Sequence, residues 1–364
     1  MRYALILAGG AGVRLWPMSR RTLPKQLIPF LNGKCLLETS VERLSGLIPA
    51  DCQFICAGEA QRSMILQKLP NWAEERFLGE PTGRDTLNAI GLGAAVMARK
   101  DPEAILAVFT ADHLIEPVDL FQQIVRQGYT LVERQPEILV TFGIQPDNAS
   151  TSFGYLELGE KIDSSARRVR RFHEKPGEET AQKYFTSGPE HYLWNSGMFV
   201  WKASTLLACI RRYEPATHAS LIKIAQEWGK DTYAHRLEGL YPSLKKISID
   251  YAVMEPASRD ENMAVASIAM PLRWLDVGSW PAYASVCRQD QDGNALAANK
   301  IVLQNAEHNL IVSEDPDHLI AVLGAENLTI IHTRDVTLVC DRQHAEAIKK
   351  LHQNVSDCFG EQFL

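Results

Sequence analysis

Short apolar runs alternate with longer stretches of helical periodicity along the first part of the chain. Runs at residues 3–8, 53–57, 104–109 and 138–142 read as buried strands, while residues 36–47, 61–69, 86–99 and 120–133 carry apolar positions at helical spacing. This alternation predicts βαβ units around a mainly parallel sheet. From 152 to 201 the pattern changes to strand-like segments between polar loops, followed by helical stretches through Leu240, so a mixed sheet is expected there. After 274–280, a stretch rich in Asp, Gln, Asn and Ala at 289–299 reads as a linker. β-Branched runs follow at 300–303, 310–312, 319–322, 328–332 and 336–340. Their spacing of about nine residues predicts a small all-β unit, of which a few β-helix turns are one form, although no strict hexapeptide repeat is present. A helix over 342–355, with Glu346 and Lys350 at i, i+4, closes the chain. The expected organisation is two domains, 1–288 and 289–364.

Composition narrows the partners. With 46% hydrophobic and 23% charged residues in 364, the chain has the balance of an ordinary globular protein and can bury a large core. A net charge of −6 argues against nucleic acid as a partner. Seven scattered cysteines, without metal-ligand pairing, suggest reduced thiols and a cytoplasmic location. There is no leader pattern at the N-terminus and no apolar run of the roughly 18–20 residues a membrane helix needs.

Candidate chemistry begins directly after the first apolar run, at Gly9-Gly10-Ala11-Gly12-Val13-Arg14-Leu15-Trp16-Pro17, with Pro24-Lys25-Gln26 closing the segment. Glycines without Cβ atoms let backbone N–H groups close on an anion, and Arg14 and Lys25 add fixed positive charge. That combination suits a polyphosphate. A dinucleotide-binding loop would want Gly or Ala where Leu15 stands and an acidic residue about twenty positions on, where Glu38 falls inside a helical stretch. Thr110-Ala111-Asp112-His113 ends a later apolar run, and ligands of such sheets gather at strand carboxyl ends. Alone, Asp112 reads equally well as a helix N-cap.

The loop, continued by Met18-Ser19-Arg20, closely resembles the signature of the sugar-1-phosphate nucleotidylyltransferases, and its Leu-Trp-Pro and Ser-Arg parts resemble the mannose-1-phosphate guanylyltransferase branch. Further blocks follow in the family's order: Glu80-Pro81-Thr82-Gly83-Arg84-Asp85-Thr86, Ala111-Asp112-His113, Phe172-His173-Glu174-Lys175-Pro176, Trp194-Asn195-Ser196-Gly197, Ser248-Ile249-Asp250-Tyr251 and Asp276-Val277-Gly278-Ser279-Trp280. The resemblance spans residues 1–345. It implies an α/β fold, a Rossmann-like three-layer mixed-sheet (GT-A-like) domain with a small β-helix-like C-terminal domain. It also implies transfer of GMP from GTP to mannose 1-phosphate, giving GDP-mannose and pyrophosphate by direct displacement at the α-phosphate.

The family's roles fall on matching positions. Arg14 and Lys25 would hold the triphosphate with amides of Gly9, Gly10, Ala11, Gly12 and Val13. Asp112 and Asp276 would hold Mg²⁺, an ion that prefers hard oxygen ligands, and His113 would support them. Lys175 would hold the sugar phosphate; Glu174 and Asn195 would meet sugar hydroxyls; Gly154 and Tyr155 would contact the sugar through backbone and ring edge. Gly278 and Ser279 would shape the turn presenting Asp276. Glu80, Pro81, Gly83, Arg84, Asp85 and Thr86 resemble the guanine-recognition segment, with the division between side-chain and backbone contacts left open. Asp250, Tyr251 and Glu255 fit capping and packing as well as sugar binding, whereas Trp194 and Trp201 read as core.

Ser152 and Phe153 replace residues usual in the family, which would reshape the sugar pocket. Longer relatives append a cupin-like isomerase domain for which this chain has no room, so only the transferase activity is implied. The same reaction with another sugar 1-phosphate or nucleoside triphosphate, and a non-catalytic nucleotide-sugar sensor, remain as alternatives. A homodimer is compatible with the β unit's open edges.

Overall fold

The computed structural model describes residues 1–10, 12–29 and 33–364, so Ala11 of the glycine loop lies outside the described residues. Two compact units emerge, one made of residues 1–9, 40–111 and 115–274, the other of 10–39, 112–114 and 275–364.

The strands of the chain as far as Asp276 are β1 (Arg2–Leu7), β2 (Gln53–Gly58), β3 (Phe77–Glu80), β4 (Ile105–Thr110), β5 (His113–Glu116), β6 (Ile138–Ile144), β7 (Tyr155–Lys161), β8 (Ala166–His173), β9 (Tyr192–Lys202), β10 (Ala264–Ala269) and β11 (Arg273–Asp276). The first unit is built on a nine-stranded sheet in the order β3-β2-β1-β4-β9-β6-β10-β8-β7, and β5 and β11 form a separate pair. β3, β2, β1 and β4 are parallel, as the early alternation implies. β9 runs antiparallel to both β4 and β6, and β8 antiparallel to β10, so the sheet as a whole is mixed.

Side-chain alternation places a helix on each face of this sheet. Leu5 of β1 packs on Gly93 in the helix Thr86–Lys100, where a Cβ would come within 2.6 Å of its Cδ2. Ile6, on the opposite face, lies in register with Phe109, which meets Phe121 of the helix Val118–Arg134 at 5.7 Å between ring centres. This is the three-layer arrangement. The helix Glu178–Ser187, between glycines 177 and 188, interrupts a region that reads from sequence as strands and loops; its apolar face is short, with Ala181 and Tyr184 buried.

In the second unit, β12 (Arg288–Gln289), β13 (Ala295–Ala297), β15 (Leu310–Ser313), β17 (Leu328–His332) and β18 (Thr337–Asp341) form one sheet; β14 (Lys300–Gln304) and β16 (Leu319–Leu323) form a second. β13, β15 and β17 stack in parallel, as do β14 and β16, giving turns of a β-helix. Buried asparagines tie the turns together. Asn294 Oδ1 accepts from Asn309 N–H at 2.9 Å and from Asn309 Nδ2 at 3.0 Å, while Asn309 Oδ1 accepts from Leu328 N–H at 2.9 Å. The stretch at 289–299 is therefore no free linker: it contains β13, the first rung, and the asparagine that starts the ladder. The final helix, Ile348–Phe359, follows a 3-10 segment, Arg342–Ala347, and Glu346 pairs with Arg14 at 3.5 Å. Trp16 anchors this end of the chain, donating from Nε1 to the Phe363 carbonyl at 2.7 Å and meeting the His352 ring edge-on.

Candidate functional site

The residues singled out from the sequence gather into constellations, each contained within one unit. In the second unit Gly12 leads into a 3-10 turn, Val13–Leu15, whose three residues are too few to lend a helix dipole. Positive charge comes from side chains instead. Lys25 forms an ion pair with Asp112, and Gly12 explains how: at φ +62°, a Cβ there would lie 2.5 Å from Lys25 Cβ. Gly12 is thus required both for its left-handed backbone and for the passage of the lysine stem. Gly10 is also left-handed, at φ +102°.

Asp112 is followed by β5, a strand, which removes its helix-cap reading. One donor atom each from Asp112, His113 and Asp276 lie within 4.8 Å of one another, a possible metal-binding triad. His113 Nε2 is 3.7 Å from Asp112 Oδ1, and Val277 N–H binds the Asp112 carbonyl at 3.1 Å. Gly278 does more than shape a turn. A Cβ there would meet Arg14 Nη2 at 3.0 Å and Asp276 Oδ1 at 3.1 Å, so its absence lets cation and carboxylate approach. Ser279 follows as the N-terminal flank of the helix Trp280–Ala284.

Charge in this cluster is closely balanced. Burial works against the Lys25 ammonium, but the Asp112 and Asp276 carboxylates outweigh it and hold its pKa above the ordinary value. Asp112 is opposed by burial yet drawn down to about 2 by Lys25 and His113. Asp276 Oδ1 is buried and has no hydrogen-bond partner among the described residues. An orphaned carboxylate oxygen beside a second carboxylate is what a hard divalent cation would satisfy. The residues present therefore fit a metal.

In the first unit, a segment beginning at Glu80 sits at the end of β3. Glu80 is buried; Tyr241 Oη donates to its Oε1 at 2.6 Å, and Gly9 lies against its Oε2, at 3.8 Å from an ideal Cβ. Burial pushes the Glu80 carboxyl up, against the hydrogen bonds from Tyr241 and the Arg84 N–H. Three further side chains of the segment, Arg84, Asp85 and Thr86, are engaged within the protein. Arg84 donates to the Pro242 carbonyl, Asp85 accepts from Thr86 N–H at 2.8 Å, and Thr86 Oγ1 accepts from Ile249 N–H at 2.9 Å. Asp85 is held at φ +67°, ψ 174°, a region open to few residues other than glycine. Pro81 and Gly83 are exposed.

A third group, also in the first unit, joins Glu174, Lys175, Asn195 and Asp250. Glu174 is almost fully buried, and its Oε1 pairs with Lys175 Nζ at 2.9 Å. Lys175 takes a left-handed backbone, φ +43°. Gly154 permits the approach of Glu174, since a Cβ there would fall 2.6 Å from Glu174 Oε2. Tyr155, in contrast, is wholly buried: its hydroxyl donates to the Ser150 carbonyl at 3.0 Å and its backbone lies in the sheet between β8 and β9, so the structure does not present the expected ring edge at the surface. Phe153 fills an aromatic cluster with Trp194 and Trp274, at 4.8 and 5.1 Å between ring centres.

Asn195 is less free than its sequence suggests. Its Oδ1 accepts from Thr141 Oγ1 at 2.7 Å and its Nδ2 donates to Asp250 Oδ1 at 3.0 Å, which fixes the amide's orientation. Asp250, which the sequence left undecided between packing and binding, opens a π-helical turn, Asp250–Met254, a feature often found at functional positions. Tyr241 has no sequence signal at all; only its position under Glu80 reveals it.

Residues 3–293 match the Nucleotidyl transferase family, and residues 299–354 match the MannoseP isomerase/GMP-like beta-helix domain. The chain is 34% identical over 359 residues to a mannose-1-phosphate guanylyltransferase of Klebsiella pneumoniae, covering 96% of this chain and 73% of that protein. It is 36% identical over 353 residues to the xanthan biosynthesis protein XanB of Xanthomonas campestris pv. campestris, covering 95% and 72%. The crystal structure of a mannose-1-phosphate geranyltransferase from Thermus thermophilus is similar with a TM-score of 0.84 at 30% identity, covering 98% of this chain and 99% of that one.

Proposed function

The chain belongs to the nucleotidyl transferase family, in its mannose-1-phosphate guanylyltransferase branch, and we propose that it transfers GMP from GTP to mannose 1-phosphate. The observation that carries this reading is the balanced cluster of Lys25, Asp112 and Asp276 behind a glycine loop, which supplies what a triphosphate and a cation require together.

A phosphate oxygen of mannose 1-phosphate attacks the α-phosphorus of GTP; the bond to the β-phosphate oxygen breaks, pyrophosphate leaves, and GDP-mannose forms. No protein nucleophile takes part. The reaction asks chiefly for in-line placement and neutralised charge. Arg14 and Lys25 hold the triphosphate oxygens, with backbone amides of Gly9, Gly10, Gly12 and Val13 beside them. Lys25, paired with Asp112 in the free enzyme, exchanges that partner for phosphate. Asp112 and Asp276 would hold Mg²⁺, which when bound neutralises charge on the phosphates. Lys175 holds the sugar phosphate, while Glu174, Asn195 and the backbone at Gly154 meet the sugar; Gly278 and Ser279 keep Asp276 in place. For the base, the local bonding of Arg84, Asp85 and Thr86 favours contact through the backbone at Pro81 and Gly83, with Glu80 as the side chain that accepts from the guanine edge.

This activity is assigned to residues 1–288, with 289–364 as the accompanying β domain. The free state of all seven cysteines supports a cytoplasmic location; no helix among the described residues is long and apolar enough to cross a membrane. The outward face of β14 and β16, where Val302, Leu319 and Leu323 are exposed, is the surface assigned to a homodimer.

Pyrophosphate release over a matrix of nucleoside triphosphates and sugar 1-phosphates tests the reaction. Fastest release with GTP and mannose 1-phosphate is expected. Preference for another pair would move the specificity, and no release with any pair would favour a sensor.

A further inference from the structure

The proposed reaction gives no task to Tyr241, which lies wholly buried in the first unit beneath the segment that begins at Glu80. It opens a 3-10 turn, Tyr241–Ser243, directly after the helix Tyr233–Leu240, and its hydroxyl donates to Glu80 Oε1 at 2.6 Å. The turn cannot drift from the segment. Arg84 donates to the Pro242 carbonyl, Asn88 Nδ2 donates to the Lys245 carbonyl at 2.8 Å, and Thr86 Oγ1 accepts from Ile249 N–H at 2.9 Å. Residues 241–249 are thus stitched along residues 80–88. For packing alone a phenylalanine would serve; the hydroxyl serves the carboxylate.

Glu80 needs that service. It closes β3 opposite Gly58 of β2, and among the described residues no cation pairs with it. Burial favours its neutral form and Asp85 adds to this, while the buried Cys56 thiol on β2, itself pushed up by burial and by Glu80, brings no positive charge. What opposes protonation is hydrogen bonding, from Tyr241 first and then from the Arg84 N–H. The Tyr241 phenol keeps its own proton, because burial, Glu80, Cys56 and Tyr233 together hold it well above its ordinary range. The other carboxylate oxygen, Oε2, lies 3.8 Å from where a Cβ on Gly9 would stand, so glycine at that position keeps a side chain off it.

The charge state of this carboxyl decides which base edge it fits. Ionised, it only accepts, and guanine offers N1–H and N2–H side by side. Neutral, it presents one O–H donor next to one acceptor, the complement of adenine's N1 acceptor and N6–H donor. We propose that Tyr241 is a positioning residue for base selection: its hydrogen bond fixes the Glu80 carboxylate in place as an acceptor-only group, so that the site takes guanine and refuses adenine. This rests on the reading of Glu80 as the side chain that accepts from the guanine edge.

The experiment follows the ratio of kcat/KM for GTP to that for ATP from pH 5 to pH 8, with the full chain, Mg²⁺ and saturating mannose 1-phosphate. Groups that act on the triphosphate alone cancel in this ratio. The wild type should hold a high ratio at pH 7 and lose it on the acid side, as Glu80 takes up a proton. Tyr241→Phe removes only the hydroxyl; the fall should move up by about one pH unit, leaving the ratio about 10-fold below that of the wild type at the same acid pH. A hydroxyl of merely structural value would raise both Michaelis constants without moving the profile. Placing 3-fluorotyrosine at position 241 keeps the bond, strengthens the donor and guards against misfolding of the phenylalanine variant; the fall should then move to lower pH. Glu80→Gln offers a donor and an acceptor at every pH, so its ratio should be low and flat, and adding Tyr241→Phe should change it by less than about twofold. A profile that neither change at position 241 moves overturns the role of Tyr241. Wild-type discrimination in Glu80→Gln would instead overturn the reading of Glu80 on which that role rests.

Discussion

The cluster of Lys25, Asp112 and Asp276 and the cluster of Glu174, Lys175, Asn195 and Asp250 both combine acidic side chains with a lysine, but they settle their charge differently. In the former, lysine and carboxylate neutralise each other and one carboxylate oxygen of Asp276 is left over. In the latter, two carboxylates compete and one is pushed toward protonation. An ion pair with a spare oxygen suits exchange of ions, whereas a network of oriented hydrogen bonds suits the reading of neutral hydroxyls. This contrast underlies the separate roles proposed for them, phosphate with metal in one and sugar in the other.

Three substitutions sharpen the contrast. The largest effect is expected from Asp276→Ala. Loss of the orphaned carboxylate should lower kcat about 10³-fold with far-UV circular dichroism unchanged, as loss of a charge-stabilising contact in a dry site does. Turnover within a few-fold of wild type would remove Asp276 from the cation site. Gly12→Ala comes next. Its Cβ would lie 2.5 Å from Lys25 Cβ in a left-handed backbone, so stability should fall by on the order of 1–2 kcal/mol and KM for GTP should rise about 10-fold. Thermal unfolding and steady-state kinetics read these two effects separately, and a KM shift confined to mannose 1-phosphate would contradict the role given to the loop.

The smallest effect concerns pH. Asp250 has a folded value of about 7 against an ordinary 3.8, with burial, Glu174 and Asp85 raising it and Lys175 lowering it. The folded state holds the extra proton, so the stability this group contributes is complete below about pH 4 and is lost as pH rises through 7. Asparagine does not titrate. Asp250→Asn should gain on the wild type by on the order of 1 kcal/mol between pH 5 and pH 8 in denaturant unfolding. A difference independent of pH would show that the carboxyl is not raised.

The two clusters were also unequally visible in the sequence. The phosphate loop is contiguous, and glycines beside cations announce their chemistry; Lys25 and Asp112 were both named from the chain, though not their ion pair. Alternation of apolar runs likewise marked β1, β2, β4 and β6 and the helices between them, because buried parallel strands leave a strong local signal. What could not be read depends on contacts distant in sequence. Gly278 is small for the sake of Arg14, Tyr155 turns its ring inward to Ser150, and Asn195 has its acceptor occupied by Thr141. Asp250 and Tyr241 gain meaning only from Asn195 and Glu80, far away along the chain. The first rung of the β-helix was hidden because its short strand lies among polar residues, and it is the burial of Asn294, not apolar periodicity, that secures it.

The separation of roles is tested most directly by comparing both Michaelis constants in Lys25→Ala and Lys175→Ala under identical conditions. Lys25→Ala should raise KM for GTP about 10-fold or more, with KM for mannose 1-phosphate within about twofold of wild type, and Lys175→Ala should do the reverse. Equal increases in both constants for both variants would contradict the account.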